Sequence, residues 1–253
     1  MRIVTNTKLA QRNRQIATYL FIVTLVMLIG GFFLVNQSLF TNEAPDDLML
    51  LLQSLILPLA FILTLISVRM TNLWARQPRP EDALDEALSG INKKSILYNY
   101  YHFPIRHLLI CPQGVYVLVT RWHDGSYSVN GSDKGDQWRS HQGFFGRFFT
   151  TLRMDGIGNP TKDAQRLVEH ARKLLAPIAP DVKVEALVVF LSPSVELEMN
   201  NPSLTVLYAD PREEESLKNF LRESNANSGK KVNLPLSDEQ IAAFEKATLP
   251  ANA

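Results

Sequence analysis

Two uncharged apolar runs stand out at the start of the chain, residues 17–35 (ATYLFIVTLVMLIGGFFLV) and 48–68 (LMLLLQSLILPLAFILTLISV). A helix needs roughly 20 mostly apolar residues to cross a hydrocarbon core, and both runs reach that length. A cleaved signal peptide is the competing reading of the first, because Arg2, Lys8, Arg12 and Arg14 precede it. Its apolar stretch exceeds the usual length of about 7–15 residues, and no small-x-small site follows it. A buried core helix is the competing reading of the second, on account of Gln53 and Pro58. Neither residue forbids a span, since neighbouring helices re-satisfy a carbonyl freed by proline. The pattern predicts a hairpin over residues 1–70, with both spans retained.

Beyond it the pattern turns polar and mixed. Residues 71–80 read as a linker with Pro78 and Pro80. Pro80, Glu81 and Asp82 suit the first turn of a short helix, whose Leu84, Ala87, Leu88 and Ile91 share one face and whose end fits Gly90. Strands follow at 96–101, 105–111 and 115–121, the last two joined by the Pro112-Gln113-Gly114 turn. Their middles are continuously apolar, which predicts central strands covered on both faces. A further strand is expected at 127–130 after Asp124-Gly125. A helix should open at Asn159-Pro160 with Ala164, Leu167, Val168, Ala171, Leu174 and Leu175 inward. Strands at 184–191 and 204–209, a helix at 211–223 and a last helix at 237–247, opened by a Ser237…Gln240 capping box, complete the list. Helices before and after a mixed sheet predict an α/β domain.

Charge sets the expected orientation. Lys and Arg flank the outer ends of the hairpin, with Arg69, Arg76 and Arg79 after the second run. The connecting loop carries Glu43, Asp46 and Asp47 and no Lys or Arg. The positive-inside rule then puts both termini and the globular domain in the cytoplasm. Over the whole chain, 26 basic residues nearly balance 25 acidic ones. That argues against a strongly electrostatic nucleic-acid binder, while leaving room for a local basic patch. The single cysteine, Cys111, allows no intramolecular disulfide and no cysteine zinc cluster, and its apolar surroundings suit a packed thiol.

Several segments, in order, resemble the nuclease-related domain (NERD) family, a relative of the PD-(D/E)XK nucleases. The spacing Glu81…Leu84…Ala87-Leu88 is similar to that family's opening helix. The run from Ile105 to Ile110 is similar to its IDHVVV strand, and Cys111 to Leu118 to its GPGGVFVI turn and strand. Gly125 and Trp138 fall where the family has WxG and a later tryptophan. Asn159-Pro160 with Gln165 resembles NPxxQ, and Val188-Val189-Phe190 its late VVF strand. The resemblance implies a restriction-endonuclease-like mixed-sheet domain over about 81–223, followed by a polar linker and C-terminal helix over 224–253.

In active members of that superfamily, the resemblance implies, an Asp and an ExK pair hold one or two Mg²⁺ and orient a water. Hard oxygen ligands are what Mg²⁺ requires, and the metal lowers the water's pKa and stabilises the leaving oxygen. Here the Asp position holds Arg106, the Glu position Val119 and the Lys position Arg121. Valine offers no ligand atom, and a guanidinium donates where the cation needs an acceptor. Of the acidic set only Glu81 survives, and it equally suits the N-terminal turn of its helix. The resemblance implies a nuclease fold, and the residues imply that the usual reaction is absent, with no cofactor required.

Other candidates carry two readings each. Asp124, Asp133 and Asp136 form either solvated turns or a displaced carboxylate cluster, the latter serving a metal-dependent nuclease with Mg²⁺ as its cofactor. His107 and His123 are isolated, and His107 alternates with the core face of its strand. Arg106 and Arg121 either pair with Glu81, Asp85 or Glu86, or bind an anion or nucleic acid. In FFGRFFTTL, Phe144, Phe145, Phe148 and Phe149 either cover the sheet or form an interface, with a membrane, a protein partner or bases. The expected whole is a membrane-anchored, catalytically inactive nuclease-related domain that binds or scaffolds at the cytoplasmic face. Its expected partners are the bilayer and either nucleic acid or a protein, and no small-molecule substrate is evident. A structural subunit of a membrane complex is the third reading.

Overall fold

The computed structural model describes residues 1–37, 46–132, 135–141, 143, 156–227 and 234–249. It divides into a helical unit and an α/β unit.

The helical unit is built from α1 (Thr7–Val35) and α2 (Asp47–Trp74), both long and apolar enough to cross a membrane. Asp46 caps α2 by accepting from the Met49 amide at 2.8 Å. The buried positions of α1, Ala10, Ala17, Thr24 and Gly31, recur every seventh residue, and those of α2, Ala60 and Ser67, keep the same interval. A seven-residue repeat of small side chains is the seam along which two helices approach closely. A Cβ on Gly31 would stand 3.4 Å from Ile56. Gln53 donates to the Leu34 carbonyl at 2.9 Å, and Arg14 to the Trp74 carbonyl at 3.3 Å. The large apolar side chains point outward: Phe21, Val26, Phe33, Leu48 and Leu55 are all more than half exposed. A core helix of a water-soluble protein buries such residues, and α1 and α2 do not.

The α/β unit centres on a six-stranded sheet in the order β1-β2-β3-β4-β7-β9. Its strands are β1 (Arg2–Thr5), β2 (Ile96–His102), β3 (Ile105–Cys111), β4 (Gly114–Arg121), β7 (Val184–Phe190) and β9 (Thr205–Tyr208). The β2-β3-β4 meander is antiparallel, while β1, β7 and β9 join in parallel. A smaller sheet orders β6 (Gln137–Ser140), β5 (Gly125–Asn130) and β8 (Val195–Asn200). The continuously apolar β3 and β4 are central, as their pattern predicts.

Each face of the large sheet carries its own core. On one, Val115, Val117 and Val119 of β4 and Leu108 and Ile110 of β3 pack under α4 (Pro160–Leu175) and α6 (Asp238–Thr248). The small sheet closes this core, with Trp138 stacked 6.1 Å from Phe190. On the other face, Leu97, Leu109, Cys111 and Leu118 meet Leu84 and Leu88 of the α3 segment (Pro80–Ala87 and its cap) and Leu217 and Leu221 of α5 (Leu217–Asn227). Asn159 caps α4 with Pro160 at its first position, and Ser237 and Gln240 form the capping box of α6.

Three features depart from the sequence pattern. The first strand of the sheet precedes α1, so residues 2–5 belong to the α/β unit and not to the hairpin. Arg2 to Thr5 pair with Ile96 to Asn99. The helix expected at 211–223 begins only at Leu217, because Asp210 turns the chain by accepting from the Arg212 amide and side chain. The last helix is no appendage: Ile241 and Phe244 are buried in the core.

Gly131 marks a close crossing of the ends of β5 and β8. Its amide donates to Asn200 at 2.8 Å, and a Cβ there would lie 1.8 Å from the Asn201 carbonyl oxygen. Gly131→Ala is expected to cost about 1–3 kcal/mol through forced backbone movement. Thermal unfolding of the detergent-solubilised full chain should register this as a lowered Tm.

Candidate functional site

The site positions are set by the register of two strands. His107 to Cys111 of β3 pair with Leu118 to Gly114 of β4, and Arg106 comes just before the first of these pairs. Side chains alternate along a strand. Val119 and Arg121 therefore fall on the face beneath α4. Glu81 lies at the start of α3, whose Leu84 and Ala87 pack on the other face. The fold brings Val119 and Arg121 together on one face and seats Glu81 on the helix of the other.

Val119 is buried at 3% exposure as part of the core. Arg121 is largely buried and fully engaged. Its Nη2 donates to Asp163 Oδ2 at 2.5 Å, Nε to the Ile157 carbonyl at 3.2 Å and Nη1 to the Thr120 carbonyl at 3.1 Å. Burial lowers its pKa and the Asp163 carboxylate opposes that shift. An arginine stays charged under such conditions. Asp163 also receives Arg166 at 3.3 Å. The sequence pointed to Glu81, Asp85 or Glu86 as the acid partner; the acid lies on α4 instead, because that helix covers the face to which Arg121 points. The Arg106 side chain takes part in contacts of its own at the start of β3.

Glu81 accepts from the Tyr100 hydroxyl at 2.6 Å. Tyr100 sits at φ 66°, a left-handed backbone that costs a non-glycine residue about 1–3 kcal/mol. Its ring meets the His107 imidazole edge-on at 5.3 Å. His107 is fully buried, with Nδ1 2.8 Å from Asn99 Oδ1, while Asn99 Nδ2 donates to Thr5 Oγ1 at 3.0 Å. The amide oxygen fixes the proton on Nδ1 and leaves Nε2 without a hydrogen-bond partner. Desolvation, and then the charge of Arg106, push His107 down to about 3. A group so weakly basic is unsuited to carry protons near neutrality. This Thr5–Asn99–His107 chain escapes sequence reasoning, because its members lie on three strands.

The acids after β4 are held separately. Asp124 accepts from the Ser192 hydroxyl. Asp136, buried, accepts from Thr161 Oγ1 at 2.7 Å and from the amide and hydroxyl of Ser203 at 2.9 Å. Trp138 Nε1 donates to Thr161 at 2.9 Å, completing a network without a cation. Among the described residues no three His, Cys, Asp or Glu come together to hold a metal. Asp133 and the aromatic set Phe144, Phe145, Phe148 and Phe149 lie outside the described residues. His123 packs against Tyr127 at a ring distance of 5.9 Å.

A helix, an antiparallel three-strand meander, a crossover helix and a parallel fourth strand define the α/β arrangement that the resemblance implied. Residues 79–191 match the family model of the nuclease-related domain, NERD, and over this span the chain carries that domain. No curated protein and no solved structure matches the chain. The match runs from α3 through β7, so β1, β8, β9, α5 and α6 are built outside it.

Two buried histidines make stability depend on pH. Burial, then the nearby His170, lower His102 to about 4, and His107 stands at about 3, against 6.5 for each when unfolded. Both are neutral in the fold, so their full stability is present above pH 6.5. As pH falls from 6.5 towards 4 the unfolded chain takes up protons that the fold refuses, at about 1.4 kcal/mol per pH unit for each histidine. The denaturant midpoint should drop over that range, and His102→Phe should roughly halve the slope.

Proposed function

We propose that this protein is a membrane-anchored nuclease-related domain that has lost phosphodiester cleavage and acts as a binding or scaffolding module at the cytoplasmic face. The observation that carries this reading is the pair Val119 and Arg121. An aliphatic side chain sealed in the core stands where a metal-binding carboxylate is needed, and the neighbouring cation is already neutralised by Asp163. Two acids lost from one metal site remove its affinity for Mg²⁺, since the remaining groups donate or repel.

Membrane anchoring is supported by α1 and α2, whose apolar side chains are left outside any protein core. The parallel pairing of β1 with β2 supports the hairpin topology. Strands before α1 and after α2 share one sheet, which supports both ends of the hairpin lying on one side of the bilayer. The basic flanks and acidic loop support the cytoplasm as that side.

Two measurements test the reading. Purified full-length protein should not cleave plasmid or single-stranded DNA with Mg²⁺ or Mn²⁺. Cleavage that EDTA abolishes and Glu81→Ala weakens would overturn the loss of catalysis. For topology, a cysteine at Asn36 should react with a membrane-impermeant maleimide applied to intact cells, while a cysteine at Lys183 should react only after lysis. The reverse pattern would invert the orientation.

A further inference from the structure

We propose that the β2–β3 turn, led by Phe103, enters the headgroup layer of the bilayer as a third point of attachment. This rests on the membrane reading above. Phe103 is 87% exposed, whereas the α/β unit buries its other phenylalanine, tyrosine and tryptophan rings wholly or in part among the described residues. A single exposed ring is ordinary on a protein surface. What singles this one out is the end of the sheet it occupies.

Both covalent links to the long helices join the sheet beside the end of β2. The outgoing link leaves β1 at Thr5, paired with Asn99, and α1 begins two residues later at Thr7. The returning link arrives at Pro80, and the next residue, Glu81, is hydrogen-bonded to Tyr100. From residues 99 and 100 the chain continues in the direction of β1 to the turn at Phe103 and Pro104. At about 3.3 Å per residue, the tip stands up to 13 Å beyond the outgoing link. The turn thus stands at the end of the sheet to which both links attach, and aromatic rings with a polar rim partition into the headgroup layer. Tyr101 and Pro104, both half-buried, flank the ring on the same turn.

Single cysteines labelled with a bimane in the full-length protein test the inference in phosphatidylcholine–phosphatidylglycerol nanodiscs containing doxyl-labelled lipid. Cys111 is fully buried and its thiol is pushed up to about 11, so it stays unlabelled. Three sites are compared: Phe103→Cys; Val26→Cys on α1; and Lys183→Cys, beside the start of β7 at the opposite end of the sheet. Quenching at 103 about two-fold or more above that at 183, together with strong quenching at 26, supports the proposal. Quenching at 26 with 103 no different from 183 overturns it and leaves the membrane reading intact. Absence of quenching at all three overturns both.

Discussion

Four residues of parallel β-pairing tie this molecule together. Arg2 to Thr5 hydrogen-bond to β2, although two long helices separate the strands in sequence. The pairing reaches beyond the backbone. Thr5 accepts from Asn99, which orients His107, and Arg2 meets Glu245 of α6, a carboxylate that also accepts from Tyr98 at 2.6 Å. The first strand is thus tied to β3 on one face and to the last helix on the other. In sequence, the two long helices are thereby inserted between the edge strand β1 and its neighbour β2.

That edge explains what could be read from the sequence and what could not. Central strands announce themselves, because a run such as HLLIC must be covered on both faces wherever it lies. Helix starts announce themselves too, through Asn159-Pro160 and Ser237…Gln240, because capping is local. β1 is four residues long, carries a charge and is half-exposed. Nothing local distinguishes it from a basic flank, and its partner lies ninety-four residues on. β8 is a different omission. Val195, Leu197 and Met199 alternate with Glu196, Glu198 and Asn200, a period-two signal that was available in the sequence.

The site was legible as positions but not as partners. Motif spacing identified Arg106, Val119 and Arg121, and strand alternation puts the last two on one face. Which acid would answer Arg121 depended on which helix covers that face. A crossover between parallel β4 and β7 carries α4 over the core side, so Asp163 comes within reach while Glu81 and its neighbours on α3 do not. For Arg121 the acids expected from the sequence lie on the helix of the other face.

The replacements also cohere physically. A buried glutamate at position 119 would need a cation to offset its desolvation, and among the described residues no acid cluster is placed to recruit one. Valine removes that cost and continues the apolar ridge of Val115 and Val117. An arginine at 121 spans from the sheet to α4 and donates to the Ile157 carbonyl just before the Asn159 cap, a bridge that a metal-bound lysine would not make. Val119 and Arg121 form a packed seam between strand and crossover helix. These two positions thus serve the architecture of the domain directly, one by filling the core and the other by holding the crossover helix to the sheet.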